Sequence, residues 1–96
     1  MRARHAIHRV VSLQRVGAYT LLVAFEDGTQ QTIDFAPVLV GQLFEPLRDP
    51  VFFARVSIDP EAHTLVWPNG ADFDPTVLHD WPMHADAMRE LARGWA

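Results

Sequence analysis

The stretch YTLLVAFEDGTQQTIDF, residues 19–35, decides the fold of this chain. Apolar and polar residues alternate on both sides of Glu-Asp-Gly, which is typical of two strands joined by a tight turn. A two-residue turn would set the apolar face of the first strand against polar residues of the second, whereas a three-residue loop brings the apolar faces together. We therefore predict the three-residue loop, with Gly28 in the left-handed conformation. Its register pairs Phe25 with Thr29, Val23 with Gln31, Leu21 with Ile33 and Tyr19 with Phe35.

The residues before this hairpin predict a further strand. Residues 5–13 alternate in character, with Val10 interrupting the pattern, and Gly17 then separates them from the hairpin. Because successive side chains of a strand point to opposite faces, the alternation assigns each residue to a side. We expect one face to carry Ile7, Val11 and Leu13, and the other to carry His8 and Ser12.

Two Asp-Pro pairs predict helix starts in the second half of the chain. The aspartate can accept hydrogen bonds from first-turn amides, and the proline lacks a donor that the first turn would leave unused. After Asp49-Pro50 we predict a short helix over residues 51–55. After Asp74-Pro75 we predict one helical turn over residues 76–80, ended by Pro82.

The segments between these helices predict one more hairpin and one more turn. Residues 56–59 and 64–67 have strand character and are separated by a short proline-containing connection, which indicates a second hairpin. Residues 36–41 cannot continue a central strand, because Pro37 donates no backbone hydrogen bond. We expect a short turn or a single helical turn there, covering the sheet.

An amphipathic helix is predicted at the carboxyl end, over about residues 84–93. Such a short helix needs a packing partner, so its apolar stripe should face the sheet or another chain. The stripe consists of Ala87, Met88, Leu91, Ala92 and Trp95. The predicted fold class is therefore α+β: a small antiparallel sheet of two hairpins plus an amino-terminal strand, with short helices and an amphipathic carboxyl-terminal helix.

Length and composition predict one globular domain spanning residues 1–96. Hydrophobic residues make up 49% and charged residues 21%, which is ordinary for a folded protein. The chain has no cysteine, so disulfides, thiolate zinc sites and cysteine nucleophiles are excluded. Since no apolar run approaches the roughly 20 residues that span a bilayer, we expect no membrane insertion and a cytoplasmic location.

The net charge of −4 is unevenly distributed. The first 25 residues contain four arginines and no acid, while the remainder contains four arginines and all twelve acids. The amino-terminal arginines fit two interpretations: a solvated strand face, or a strip that contacts nucleic-acid phosphates and gains affinity from released counterions. This strip would consist of Arg2, Arg4, Arg9 and Arg15.

The histidines and acids are weak candidates for metal ligands. His5 and His8 are three apart on a predicted strand, so they point to opposite faces. Pro82 separates His79 and Asp80 from the helix that carries His84 and Asp86, which removes the simple i, i+4 arrangement. After the glycine turn, Asn69, Asp72 and Asp74 have good structural roles as turn and capping residues. We predict no metal ligand.

Catalytic chemistry has no positive signal. Hydrolysis needs a nucleophile beside a base and an orienting group, and neither Ser12 nor Ser57 lies in a glycine-rich elbow. The glycines are isolated, so no phosphate cradle is expected. We predict no catalytic residue and no cofactor, and hence a protein that is not an enzyme.

Three segments together resemble the domain of unknown function 2442 family: residues 21–28 (LLVAFEDG), 44–50 (FEPLRDP) and 67–72 (WPNGAD). The similarity spans about residues 7–79, and WPNGAD is its specific part. It implies a compact bacterial or phage α+β domain with no established reaction. Some members of the family carry a helix-turn-helix after this domain, and others look like partners in toxin-antitoxin-type gene pairs. Only residues 80–96 follow the motif here, too few for a helix-turn-helix.

The FEPLRDP and WPNG segments are the predicted binding surface. Arginine and tryptophan are favoured anchors of interfaces. The alternative is structural: Phe44 and Trp67 lie in the core, and Arg48 pairs with Glu45 or Asp72. The predicted binding residues are Glu45, Arg48, Asp49, Trp67, Asn69 and Asp72.

These observations rank three functions. The first is a non-catalytic binding module that acts as an antitoxin-like or regulatory partner of another small bacterial protein, either through this surface or through an exposed sheet edge. The second is nucleic-acid binding by the amino-terminal arginines. The third is a small metal-dependent enzyme centred on Asp72, Asp74 and the later histidines. An unpaired edge strand or the stripe ending at Trp95 could also form a homodimer.

Overall fold

The computed structural model of the protein describes residues 8–95, with side chains described up to residue 90. A three-stranded antiparallel sheet of order β1-β2-β3 lies beside a two-stranded sheet, β4-β5. The strands are β1 Val10–Arg15, β2 Thr20–Phe25, β3 Gln30–Asp34, β4 Ser57–Ile58 and β5 Leu65–Val66; the helices are α1 Pro50–Phe53, α2 Pro75–His79 and α3 Trp81–Trp95, with 3-10 turns at Ala36–Val38 and Glu45–Arg48. The predicted α+β class is confirmed.

The β2–β3 hairpin has the predicted three-residue loop. Leu21 lies opposite Ile33 and Val23 opposite Gln31. The pairing continues at both ends, through a 2.9 Å hydrogen bond from the Phe25 amide to the Thr29 carbonyl and a 2.8 Å bond from the Phe35 amide to the Tyr19 carbonyl. Gly28 has a φ of +91°, as the loop requires. The alternation of apolar residues was therefore sufficient to select the register.

Replacing Gly28 by alanine is expected to destabilise the fold by about 1–2 kcal/mol, because an L-residue strains this backbone conformation. An added Cβ would have no heavy atom within 4 Å, so no steric clash adds to the backbone cost. Gly28→Asn is the matched control, since asparagine tolerates the left-handed region and should cost less. Urea unfolding measures both variants; equal losses for alanine and asparagine would contradict a backbone origin.

The first strand differs from its prediction by a β-bulge. Residues 5–7 lie outside the described part, and the strand runs over Val10–Arg15. The register shifts between Val10 and Ser12, which makes Val11 the extra residue. Val10 is consequently buried with 2% of its surface exposed, while Val11 is 55% exposed. The prediction that Val11 faces the core was wrong, because alternation fails across a bulge.

Aromatic rings fill the core between the main sheet and the later segments. Phe35 lies at their centre, with ring centroids 5.1 Å from Phe73, 5.8 Å from Trp81, 5.9 Å from Phe53 and 6.2 Å from Trp67. Each of these rings comes from a different segment of the chain. The residue that ends the β2–β3 hairpin thus connects the sheet to the helices and to the second hairpin.

The two predicted aspartate caps are confirmed. Asp49 Oδ1 accepts a hydrogen bond of 3.0 Å from the Val51 amide at the start of α1. Asp74 Oδ1 accepts one of 2.8 Å from the Thr76 amide at the start of α2. Each helix also has proline in its first turn, where the missing donor has no consequence.

The last helix begins earlier than predicted. It starts at Trp81, so Pro82 lies in its first turn, where proline is tolerated, and helps to begin α3. Trp81 and Ala85 are buried, whereas Ala87 is exposed, so the predicted stripe was wrong at Ala87. The side chains of Leu91, Ala92 and Trp95 lie outside the described ones. Among the described side chains, the helix packs on the core through Trp81, Ala85 and the half-buried Met88, so the predicted stripe was right at Met88.

Two further expectations concern surfaces. Strands β1 and β3 form the edges of the main sheet. Dimer formation through one of these edges stays a prediction. Over residues 8–95, no helix combines the length and apolar character that crossing a bilayer requires.

Candidate functional site

The structure brings the two predicted binding segments together. Asn69 Nδ2 donates a 2.9 Å hydrogen bond to the Leu43 carbonyl, which joins the WPNG turn to the residues before FEPLRDP. Asn69 Oδ1 accepts one of 3.1 Å from the Ala71 amide, and Gly70 has a φ of +88°. The asparagine therefore uses both ends of its amide to hold the turn.

Trp67 is a core residue. Its ring is buried, and its Nε1 donates a 2.9 Å hydrogen bond to the Phe53 carbonyl. The alternative interpretation, in which Trp67 lies in the core, agrees with this position. Trp67 can support a binding surface from beneath. Phe44 is half-buried and packs against the core, with its ring centroid 5.0 Å from that of Phe73.

The charged residues of the two segments are exposed. Glu45, Arg48, Asp49 and Asp72 all face solvent. The Arg48 carbonyl accepts a hydrogen bond from the Tyr19 hydroxyl, which holds the backbone while the side chain stays outside. Among the residues that the structure describes, no ion pair joins Arg48 to Glu45 or Asp72. The guanidinium is therefore available to a partner.

An open apolar groove lies next to these charges. It is lined by residues 40–44 and has a volume of about 220 Å³. Leu43, in its wall, is 46% exposed, and Val51, just after the arginine, is 74% exposed. We call the groove together with the exposed side chains of residues 43–51 the loop surface.

The amino-terminal arginines are only partly described. Arg9 lies 3.8 Å from the Glu26 carboxylate, and Arg15 is exposed at the end of β1. Arg2 and Arg4 lie outside the described residues. A role for these four arginines in binding nucleic acid stays a prediction.

A histidine–carboxylate cluster, which the sequence analysis did not predict, lies at the turn of the β2–β3 hairpin. His79 Nε2 is 2.7 Å from Asp27 Oδ2, and His79 Nδ1 is 2.7 Å from Asp80 Oδ1. The ring of His8 stacks on that of His79, with centroids 3.7 Å apart and planes at 17°. The edge of Phe25 contacts the same imidazole at 5.0 Å. His79 thus has a carboxylate at each ring nitrogen and a second imidazole on its face.

Local structure explains how each member reaches this position. Asp27 is fixed in the hairpin loop because its Oδ1 accepts a 2.9 Å hydrogen bond from the Thr29 amide. His79 is the last residue of α2, and its carbonyl accepts a 2.7 Å hydrogen bond from Gln31 Nε2 on β3. His8 shares the inward face with Val10 because the bulge lies after Val10. The bulge that made the prediction for β1 wrong at Val11 also places His8 over His79.

The carboxylates and the imidazole shift one another's titration. The Thr29 amide, and next the hydrogen bond from His79, lower the pKa of Asp27 to about 2. The hydrogen bond from His79 also lowers the pKa of Asp80. Burial lowers the pKa of His79, but the hydrogen bonds to Asp80 and Asp27 outweigh it and raise this pKa above 6.5. In the metal-free protein the cluster therefore favours a charged imidazolium between two carboxylates.

The free energy of unfolding is expected to decrease as the pH rises above 6.5 and through the raised pKa of His79. A histidine whose pKa is raised by folding stabilises the fold fully below its unfolded value of 6.5 and loses this effect as the pH passes its folded pKa. Asp27 acts oppositely: its stabilisation is present above 3.8 and is lost as the pH falls toward 2. Both contributions are present together between these two reference values.

Urea unfolding across this range, in buffer containing a chelator, measures the effect. His79→Gln is the matched variant, because glutamine keeps a polar side chain that does not titrate. The decrease in the free energy of unfolding above pH 6.5 should be much smaller in His79→Gln than in the wild-type protein. The same slope in both proteins would show that other groups cause it.

The remaining metal candidates are dispersed. Asp74 caps α2, and Asp86 pairs with Arg89 at 3.0 Å. Among the described side chains, the group of histidines and acids whose ligand atoms lie within 4.8 Å of one another is His8, Asp27 and His79. Sequence reasoning missed it because Asp27 and His79 are far apart in the chain; the one local signal was that His79 and Asp80 are adjacent at a helix end.

Comparison with known proteins gives one match. A family model described as "Protein of unknown function (DUF2442)" matches residues 10–82. Neither the curated proteins nor the solved structures contain a match.

Proposed function

This chain belongs to the DUF2442 family, and we propose that it is a non-catalytic binding module that recognises another small protein through the loop surface. The proposal rests on one observation: an open apolar groove lined by residues 40–44 is followed in the chain by an exposed arginine, Arg48, that has no ion-pair partner among the described residues. In the manner of an antitoxin or another regulatory partner, the module would act by covering a surface of its target.

The size of the groove favours a protein side chain over a small molecule. Sites for small ligands usually enclose about 300–1,000 Å³ and bury most of the ligand. The groove holds about 220 Å³ and is open, so it suits one apolar side chain from a partner. Leu43 and Val51 extend the apolar area on either side of Arg48.

The side chain of Arg48, which lies between the exposed acids Glu45 and Asp49 in the chain, specifies one contact of the partner further. An unpaired guanidinium attracts a carboxylate and can bind it through two parallel hydrogen bonds. We therefore expect the partner to present an apolar side chain with an acidic residue beside it. Arginine and large apolar residues commonly carry most of the energy of such contacts.

The described hydroxyl groups support a non-catalytic role. Ser12 and Ser57 are exposed, and neither bonds to a histidine in the described part of the chain.

The test is affinity purification of the tagged protein from its own cells, followed by measurement with the purified partner. The wild-type protein should retain a stoichiometric small protein. Arg48→Glu and Leu43→Asp should each weaken its binding by at least about tenfold, the loss expected when an interface anchor is removed. Arg15→Glu and Met83→Asp are matched controls outside the loop surface and should bind within about twofold of wild type.

Two other results would contradict binding through the loop surface. Equal binding by wild type, Arg48→Glu and Leu43→Asp would overturn the role of the loop surface. Nucleic acid in the eluate, lost at high salt and in Arg15→Glu, would instead support the phosphate-binding alternative.

A further inference from the structure

The contact between His79 and Asp27 requires a positive ion between its two atoms. A neutral imidazole carries one proton, and donation from Nδ1 to Asp80 would place that proton on Nδ1. The lone pair of Nε2 would then point at Asp27 Oδ2 from 2.7 Å, lone pair against lone pair. A second proton on the imidazole resolves this conflict, and a metal ion bound to both atoms at a wider separation would replace that proton.

His8 supplies a second imidazole beside His79, which a bridging proton would not require. Its ring is stacked on that of His79 with planes at 17°, so a tilt of the His8 ring is needed to turn one of its nitrogens toward Nε2 of His79 and Oδ2 of Asp27. One ligand atom from each of His8, Asp27 and His79 can be chosen so that all lie within 4.8 Å of one another. Two imidazole nitrogens and one carboxylate oxygen form a common donor set for a transition metal.

From this geometry we propose that His8, Asp27 and His79 bind one divalent transition-metal ion of the Zn²⁺ type. Metal–ligand distances of about 2.0–2.2 Å place tetrahedral ligand atoms about 3.3 Å apart. The Nε2–Oδ2 pair must open slightly, and the His8 ring must tilt out of its stacked position and bring one nitrogen inward, which the exposed Asp27 side chain and the position of His8 before β1 allow. Three protein ligands leave the fourth position for water or a partner's side chain.

Asp80 contacts the ring nitrogen of His79 that would not bind the metal. Metal-bound histidines commonly donate their other ring N–H to a carboxylate, which fixes the tautomer and orients the ring. Asp80 Oδ1 occupies that position at 2.7 Å from Nδ1. The Gln31 hydrogen bond to the His79 carbonyl holds the backbone of the same residue. His79 is thus oriented before any metal arrives, and its side chain is only 14% exposed.

The donor set also predicts which ions are rejected. Ca²⁺ takes six to eight oxygen ligands, and Mg²⁺ prefers a shell of oxygens with several waters. Two imidazoles and one carboxylate favour Zn²⁺, Co²⁺ or Ni²⁺. The site does not involve the loop surface, so this proposal is independent of the proposed function.

The test is titration of the chelator-treated full chain with Zn²⁺, followed by calorimetry. We expect one ion per chain, and no comparable binding of Mg²⁺ or Ca²⁺. Co²⁺ provides a second readout, because a four-coordinate cobalt site gives much stronger visible absorption than aqueous cobalt. His8→Gln, Asp27→Asn and His79→Gln should each lower the affinity for Zn²⁺ by at least about tenfold, and Asp80→Asn by about 10–100-fold with one ion still bound.

His63→Gln and His84→Gln are matched controls, since each removes an imidazole outside the set of three. His8→Gln keeps the test decisive if His79→Gln fails to fold, because His8 contributes a stacking contact before the first strand. No saturable binding of Zn²⁺ up to millimolar concentrations would overturn the proposal and leave a proton as the bridging ion. Equal binding by wild type and His8→Gln would overturn it as well.

Discussion

Replacing Trp67 by alanine is expected to destabilise the fold by about 3–5 kcal/mol, the usual cost of removing a buried aromatic side chain. The loss includes the ring contacts with Phe53 at 5.6 Å and Phe73 at 5.9 Å. It also leaves the Phe53 carbonyl without the hydrogen bond from Trp67 Nε1. A domain of this size has a total stability of only about 5–14 kcal/mol, so the variant should lie near the limit of folding.

Urea unfolding of Trp67→Ala and Trp67→Phe separates the two contributions. Phenylalanine keeps most of the ring but removes the donor, so the orphaned carbonyl alone should cost about 1–3 kcal/mol. Val51→Ala is a surface control and should change stability by no more than about 0.5 kcal/mol. A loss below 1 kcal/mol for Trp67→Ala would show that the tryptophan is not part of a well-packed core.

The behaviour of Trp67→Ala also shows how Trp67 contributes to binding of the partner. If Trp67 acts through the core, its loss lowers the folded population, while each folded molecule keeps its affinity for the partner. Arg48→Glu should do the reverse, since its side chain is exposed and free of ion pairs in the described structure. The two variants together distinguish support of the surface from contact with the partner.

Replacing Phe35 by alanine is expected to cost a similar amount, about 3–5 kcal/mol, because its ring is fully buried. Its effect should be spread over the fold, since it contacts rings from four segments. Trp81, the first residue of α3, is one of these contacts. Hydrogen exchange in α3 should accelerate in the variant, as well as exchange in the main sheet.

Phe35→Leu is the matched control, because leucine preserves most of the apolar volume and should cost clearly less. Urea unfolding gives the loss of stability for each variant, and hydrogen exchange shows where protection decreases. Acceleration confined to the main sheet, with α3 unchanged, would contradict the position of Phe35 as the link between sheet and helix.

The sequence predicted part of the binding surface but not the cluster of His8, Asp27 and His79. The sequence predicted a binding surface from residue types in two segments, and the structure joins those segments through Asn69 and Leu43, but the groove at residues 40–44 was not predicted. Trp67, however, lies inside the core, which residue type alone could not decide. The cluster of His8, Asp27 and His79 was not predicted, since the carboxylate belongs to a turn and the histidines to distant segments.

The sequence by itself determined those features whose physics is local. Alternation selected the register of β2 and β3 because a shift by one residue would bury polar side chains. Asp49-Pro50 and Asp74-Pro75 marked the starts of α1 and α2 because capping acts within three residues, whereas Asp59-Pro60 begins a turn. The second hairpin followed from its own strand and turn residues.

Only the tertiary structure decided the rest. The bulge at Val11 sets which face β1 buries, and it lies where the Val10 amide bonds to the distant His63 carbonyl at 2.9 Å. The contact of Trp81 with Phe35 decides that α3 packs on the aromatic core through its first residue. His8, Asp27 and His79 meet because the bulge, the hairpin loop and the end of α2 converge. Contacts between residues far apart in the chain leave no periodic pattern in the sequence, so their chemistry emerges only once the chain is folded.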